Sequence, residues 1–285
     1  KGAEWRKWDL HFHTPESYDY KDKSVSNQDI VDNLSSQEIS VVAITDHHVI
    51  DIPRIKELQK LGVEKNITVL PGIEFLSDAR GSDPIHFIAL FSEDCNLEHI
   101  WGQIQHRTAI SKVGSEGKAL NAVYCHLFDT IELIHELGGL VTIHAGQKHG
   151  TVETITNSLS HTMAQKSDIA EAVDIFELGK PTDADGYKNI VFPAIGTVLP
   201  LILCSDNHDI KNYTLKENFW IKGDPTFDGL RQAVIEPEER MFIGETPPLL
   251  DRVQTNRTKY IKSLSIKQVE GYDSSEGIWF KDINI

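Results

Sequence analysis

Short runs of Val, Ile, Leu and Phe recur along this chain, and most of them end in, or carry near one end, a histidine or an acid. The runs predict strands at Arg6–His11, Ser40–Thr45, Thr68–Ile73, Pro84–Phe91, Leu140–His144, Ala172–Glu177 and Leu201–Cys204. Most are apolar on both faces, as strands are when helices cover them. Helical patterns at Asn27–Gln37, Pro53–Leu61, Leu127–Leu137 and Ile155–Lys166 alternate with them, with Asn27 as an N-cap candidate and Pro53 suited to a first turn. Repeated βα units imply an α/β fold with a parallel sheet. Closure into a barrel is favoured, because chemically active residues recur at strand ends and a barrel brings such ends to one mouth.

Two stretches break the rhythm. Ser92–Tyr124 and Gln147–Asp168 read as helical insertions rising over the active face. After Glu245 the character changes: Thr246-Pro247-Pro248 interrupts the chain, and Tyr260–Ile285 reads as two β-type runs. The expected organisation is a main domain over 1–245, a linker over 246–259 and the start of another domain over 260–285.

Charge and apolar content bound the function. The net charge of −15 argues against a sequence-independent polyanion binder, which would be led by Lys and Arg, unless bound cations reverse the sign locally. The longest nearly apolar run, Val191–Cys204, is interrupted by Pro193, Gly196 and Pro200 and is too short for a membrane helix of about 20 residues. Three cysteines and no signal-like opening point to a reducing cytoplasm.

The candidate chemistry lies in spaced pairs. His11 and His13, two apart on a strand, share a face, as do Asp206 and His208. Asp19, His47, Glu74, His86 and His144 sit at or near other strand ends. These nine imidazoles and carboxylates suit Zn, Mn or Fe and are too many for one tetrahedral ion, so a cluster of two or three divalent ions is expected. The remaining histidines, His48 among them, are ordinary core or surface residues on this reading, and Asp9 and Asp46 are orienters rather than ligands.

Together the motifs Asp9–Thr14, Thr45-Asp46-His47, Pro71–Glu74 and Ser205–His208 resemble those of the PHP domain (polymerase and histidinol phosphatase), from about Trp8 to about Arg240. The resemblance implies a distorted (βα)7 barrel with a trinuclear site at the strand ends, held by those nine residues, and phosphoester hydrolysis by a metal-bridged hydroxide. Lys1–Asp9, Phe227–Ala233 and Pro237–Arg240 further resemble TrlF-type proteins, in which a PHP domain precedes an SMC/ABC-like ATPase. Tyr260–Ile285 is similar to the first strands of that ATPase; no Gly-x-x-x-x-Gly-Lys-Ser/Thr occurs in the sequence, so no ATP site is implied within it. On this reading the ATPase is a partner in cis, and DNA or RNA phosphodiesters are the expected substrate. His208 or Asp46 is the expected proton donor, and Arg80, Arg107, Lys148 and Lys180 are expected to hold substrate. Three alternatives stand beside it: a small-molecule phosphomonoesterase, a non-catalytic metal-stabilised regulatory module, and an amidohydrolase. The last typically bridges two metals with a mid-barrel lysine, and none of the strand candidates from Ser40–Thr45 to Leu140–His144 offers one.

Overall fold

The seven expected strands lie side by side in one sheet, in the order in which they occur in the chain. They are β1 (Trp5–Phe12), β2 (Ile39–Ile44), β3 (Thr68–Arg80), β4 (Pro84–Leu90), β5 (Leu140–Ala145), β6 (Ile175–Leu178) and β7 (Leu201–Ile202). Two strands the hydrophobic runs did not reveal, β8 (Phe219–Lys222) and β9 (Met241–Ile243), extend the sheet antiparallel beyond β1. A computed structural model describes residues 4–80, 84–154, 160–256, 261, 264–267 and 282–284; for 80, 154, 160–164, 266–267 and 282–284 it describes the backbone alone.

The sheet closes on itself past β7. Asp206 N donates to His11 O at 3.0 Å and His13 N to Asn207 O at 3.2 Å, so the segment after β7 runs parallel to the end of β1. The result is an α/β distorted barrel. It is not wholly parallel as expected: β4 is antiparallel to both β3 and β5. β3 does not end at Glu74 but continues to Arg80 before the chain doubles back. His86, near the start of reversed β4, therefore reaches the same mouth as Glu74 in the middle of β3.

The barrel interior is apolar below and polar above. Trp8, Leu10, Val41, Ala43, Leu70, Ile88, Leu140, Ile175 and Ile202 form one buried cluster drawn from all seven strands. Counting by twos along the same strand faces leads from Leu70 to Glu74, from Ile88 back to His86, from Leu140 to His144, from Ile175 to Glu177 and from Ile202 to Asp206. β1 keeps this alignment through a register shift between Asp9 and Phe12. That irregularity lets Leu10 face the apolar floor while the odd-numbered His11 and His13 face the mouth, as β-bulges beside sites do.

Helices cover the outside. α1 (Asn27–Ser36) is capped by Ser26 rather than Asn27, in a reciprocal box with Asp29, while Asn27 donates to Glu57. α2 (Ile52–Glu64) starts at the Asp51 cap with Pro53 in its first turn. Because β4 runs backward, residue 92 leaves the end opposite the mouth. The insertion therefore first forms α3 (Leu97–Arg107) and α4 (Ser111–Ser115), and reaches the mouth only near Leu120 and Cys125. α5 (Leu127–Glu136) leads into β5, and α6 (Ser160–Ala172) runs past the expected end at Lys166, while 155–159 of the expected helix lie outside the described residues. After β6 come α7 (Asp183–Gly186), a π-turn and α8 (Phe192–Ile195). α9 (Phe227–Ile235) packs Phe227, Leu230 and Ala233 into the apolar interior cluster, and α10 (Pro237–Arg240) follows. Among the described residues no helix is long and apolar enough to cross a membrane.

The chain divides into two units, Lys1–Glu245 and Thr246–Ile285. The second begins not as a bare linker but with α11 (Pro248–Thr255), and it pairs β10 (Ser265–Lys267) antiparallel with β11 (Asp282–Asn284). Most of the stretch expected to begin an ATPase-like domain, 260–285, lies outside the described residues.

Candidate metal centre at the barrel mouth

All nine ligand candidates converge. His11 Nε2 is 3.1 Å from Glu74 Oε2 and 3.4 Å from Asp206 Oδ1, and His13 Nε2 is 3.1 and 3.6 Å from the same two atoms. His47 Nδ1 lies 3.2 Å and His144 Nε2 3.6 Å from the Glu74 carboxylate, which His86 Nδ1 also meets at 2.6 Å. On the outer side, Asp19 Oδ2 stands 3.3 Å from His47 Nε2 and 3.2 Å from His208 Nε2. Four overlapping triads result: His13–His47–His208, His11–His144–Asp206, His11–His13–Glu74 and His47–Glu74–His86, each with ligand atoms within 4.8 Å. A cavity of about 410 Å³ opens over them.

The ring orientations are fixed from behind. His144 Nδ1 donates to the His149 carbonyl and His208 Nδ1 to that of Asp206, turning Nε2 of each toward the mouth. His13 Nδ1 meets Ser17 Oγ at 2.7 Å, and that hydroxyl also accepts from His47 N. Asp206 itself sits at φ +54°, a left-handed backbone that an aspartate tolerates better than most side chains.

Electrostatics tie the cluster together. Burial alone would lower the basicity of His11, yet Glu177, Asp206 and Glu74 around it hold its pKa well above the usual value. His13 is likewise pushed up to about 9, against burial, by Asp206 and Glu74. Burial would raise the Glu74 pKa, but His47 and His11 hold it well below the carboxylate range. His144 is held low by burial and by nearby Lys148.

These residues fit divalent ions on the chemistry of their donors. His47 Nδ1, His144 Nε2 and His208 Nε2 are buried without a hydrogen-bond partner, beside carboxylate oxygens that carry no proton to offer them. His11 Nε2 and His13 Nε2 face each other at 2.9 Å, a contact that needs a shared proton or a cation. Bare imidazole nitrogens interleaved with carboxylates form a cation-binding donor set.

Other expected residues fall elsewhere. Asp46 accepts from Thr14 N at 2.6 Å and Thr14 Oγ1 at 2.7 Å and does not line the cavity, so its carboxylate braces a turn. His208 lines the cavity, with Nδ1 on the Asp206 carbonyl and Nε2 3.2 Å from Asp19 Oδ2. Arg107 pairs at 2.6 Å with Glu136 in an exposed contact away from the cavity, and Lys180 is exposed beyond Gly179, which does line it. The side chain of Arg80 lies outside the described residues. Lys148 lines the cavity but is bound within the site.

Two residues were missed by the sequence reading. Glu177 on β6 is completely buried and holds His11 Nδ1 at 2.9 Å. Its signal was available: it is the one charged residue in the apolar run Ile175–Leu178. Lys216, exposed at the rim, lines the cavity from an irregular segment that carries no periodicity.

A barrel whose mouth gathers imidazoles and carboxylates defines a class of α/β metal-site architectures. No protein-family model matches this chain, and no curated protein does. Solved structures do. A Bacteroides vulgatus two-domain protein described as containing a PHP-like metal-dependent phosphoesterase is 15% identical at a TM-score of 0.55, covering 100% of this chain and 84% of that one. A Bifidobacterium adolescentis protein described as a metal-dependent phosphoesterase is also 15% identical, at a TM-score of 0.50, covering 87% of this chain and 99% of its own. The chain has the distorted barrel fold of PHP-type domains.

Proposed function

We propose that unit 1 is a metal-dependent phosphoesterase, with divalent ions held among His11, His13, Asp19, His47, Glu74, His86, His144, Asp206 and His208. The observation that carries this reading is the set of buried, partnerless imidazole nitrogens facing Glu74 and Asp19. Bound divalent ions would supply neutralisation of the phosphoryl charge and a water whose pKa is drawn down toward ~7. The chain's own residues prepare the site: Glu177, Ser17 and two backbone carbonyls orient rings, and Lys216 at the rim attracts an anion into the cavity.

For the substrate, a compact phosphoester comes first. The cavity is small, and Arg107 and Lys180, two of the residues expected to hold substrate, do not line it. A nucleic-acid phosphodiester is the second reading, supported by the resemblance of 260–285 to an ATPase that would act in cis. Chelator-stripped protein reloaded with Mn²⁺ or Zn²⁺ should hydrolyse p-nitrophenyl phosphate or a nucleoside monophosphate. Cleavage of single-stranded DNA or RNA without monoester turnover would reverse the order. Inertness toward every phosphoester in the ion-loaded protein would remove the enzymatic reading.

A further inference from the structure

Lys148 stands inside the site. Its side chain is 6% exposed, and Nζ meets Glu177 Oε1 directly and Asp206 Oδ2 at 3.2 Å. The other Asp206 oxygen faces His11 Nε2 at 3.4 Å. One carboxylate is thus offered to two cations, an ammonium on Oδ2 and, on Oδ1, an ion in the His11–His144–Asp206 triad.

The backbone delivers this ammonium deliberately. Gly146 takes φ +74°, where a Cβ would lie 2.4 Å from Asp183 Oδ2. Gln147 N donates to that same oxygen at 2.8 Å, and Gly146 N donates to Tyr187 Oη at 3.2 Å. Across the loop, a Cβ on Gly179 would come within 2.4 Å of Gln147 O and 2.7 Å of Lys148 Cβ. Lys148 therefore enters from a clamped loop and not as a free surface arm.

We propose that the Lys148 ammonium competes with a divalent ion for the His11–His144–Asp206 group, so that this position fills last and most weakly. The inference rests on reading the mouth as a metal centre. A positive charge on Asp206 Oδ2 both withdraws the carboxylate and repels a second cation nearby.

Calorimetric titration of the chelator-stripped full chain with Mn²⁺, paired with elemental analysis, tests it. Lys148→Met keeps the apolar stem and removes the charge, and should tighten the weakest step roughly tenfold. Lys148→Arg keeps the charge and should titrate like the native chain. Should circular dichroism show Lys148→Met unfolded, Lys148→Gln takes its place. If neither neutral variant folds, the native titration decides, since its last ion must bind at least roughly tenfold more weakly than those before it. A neutral variant with native or weaker affinity, or native ions of equal affinity, overturns the competition alone. A native chain that takes up no ion overturns the metal reading together with it.

Discussion

Glu177 accepts from His11 Nδ1 at 2.9 Å, with both side chains wholly out of solvent. The contact commits the Nδ1–H to Glu177 and leaves Nε2 facing Glu74, His13 and Asp206, the nitrogen that a divalent ion would take by displacing its proton. A carboxylate behind a ligating imidazole fixes its tautomer and raises its basicity, and losing one typically costs about 10–100-fold in metal affinity. Glu177→Gln should therefore weaken Mn²⁺ or Zn²⁺ binding by that factor while leaving the cavity intact. Isothermal titration of native and variant proteins measures it, and equal affinities would mean that His11 is aimed by packing alone.

The cavity rim carries Lys216, while Arg107 spends its charge on Glu136. Lys216→Ala should raise KM roughly threefold to tenfold for an anionic substrate, with a smaller change in kcat, since a rim charge mainly attracts and positions. Arg107→Ala should leave both constants at the native value. Steady-state kinetics on whichever phosphoester the protein turns over makes the comparison.

How much of this was legible depended on whether the signal was local. Strand runs are local, and the seven expected ones form; so are spaced pairs such as His11/His13, and all nine named residues meet at the mouth. Strand direction is not local. Nothing within Pro84–Leu90 says that it runs backward, because the same apolar run suits either pairing, and so the course of 92–124 was misplaced. The bulge in β1 is set by pairing with β2 and leaves no trace in the run itself. Basic side chains were misjudged for a related reason: sequence places Arg107 after a strand, but only the packing of α3 beside α5 supplies Glu136.

His48 gives a pH test outside the catalytic chemistry. Leu76 N donates to its Nε2, and its Nδ1 donates to Leu120 O, both at 2.9 Å, so the ring is neutral and braces the mouth. Burial, opposed by the Leu120 contact, pushes its pKa down to about 4 from 6.5. Above pH 6.5 neither folded nor unfolded ring binds a proton. Between 6.5 and about 4 the unfolded chain takes up a proton that the folded one refuses, so stability falls as pH falls, by about 3 kcal/mol in all. His48→Asn suits the φ of +56° and cannot titrate there. Its Tm should be lower than native at pH 7.5, through the lost hydrogen bonds, and should decline less steeply than native between pH 6.5 and 4.5. Parallel Tm–pH curves for the two proteins would refute the assignment.

Gly72 connects the barrel's packing to its mouth. It lies between β2 and β4, two residues before Glu74, and a Cβ there would sit 2.7 Å from Ala89 O, 2.9 Å from Thr45 Cγ2 and 3.0 Å from Ile44 O. Two of those neighbours are backbone carbonyls in strands that pair with β3 on either side, at Ile44 with Pro71 and at Leu90 with Gly72, so neither can swing clear without parting the sheet. Gly72→Ala should cost about 1–3 kcal/mol, the usual scale of overpacking. For a protein of this size each kcal/mol lowers Tm by roughly 2–4 °C, which calorimetry resolves. The displacement also reaches the carboxylate that faces His11, His13, His47 and His86, so divalent-ion affinity should fall with stability. A variant that loses stability but keeps native affinity would show that Glu74 holds its position through His86 and the imidazoles rather than through its own strand.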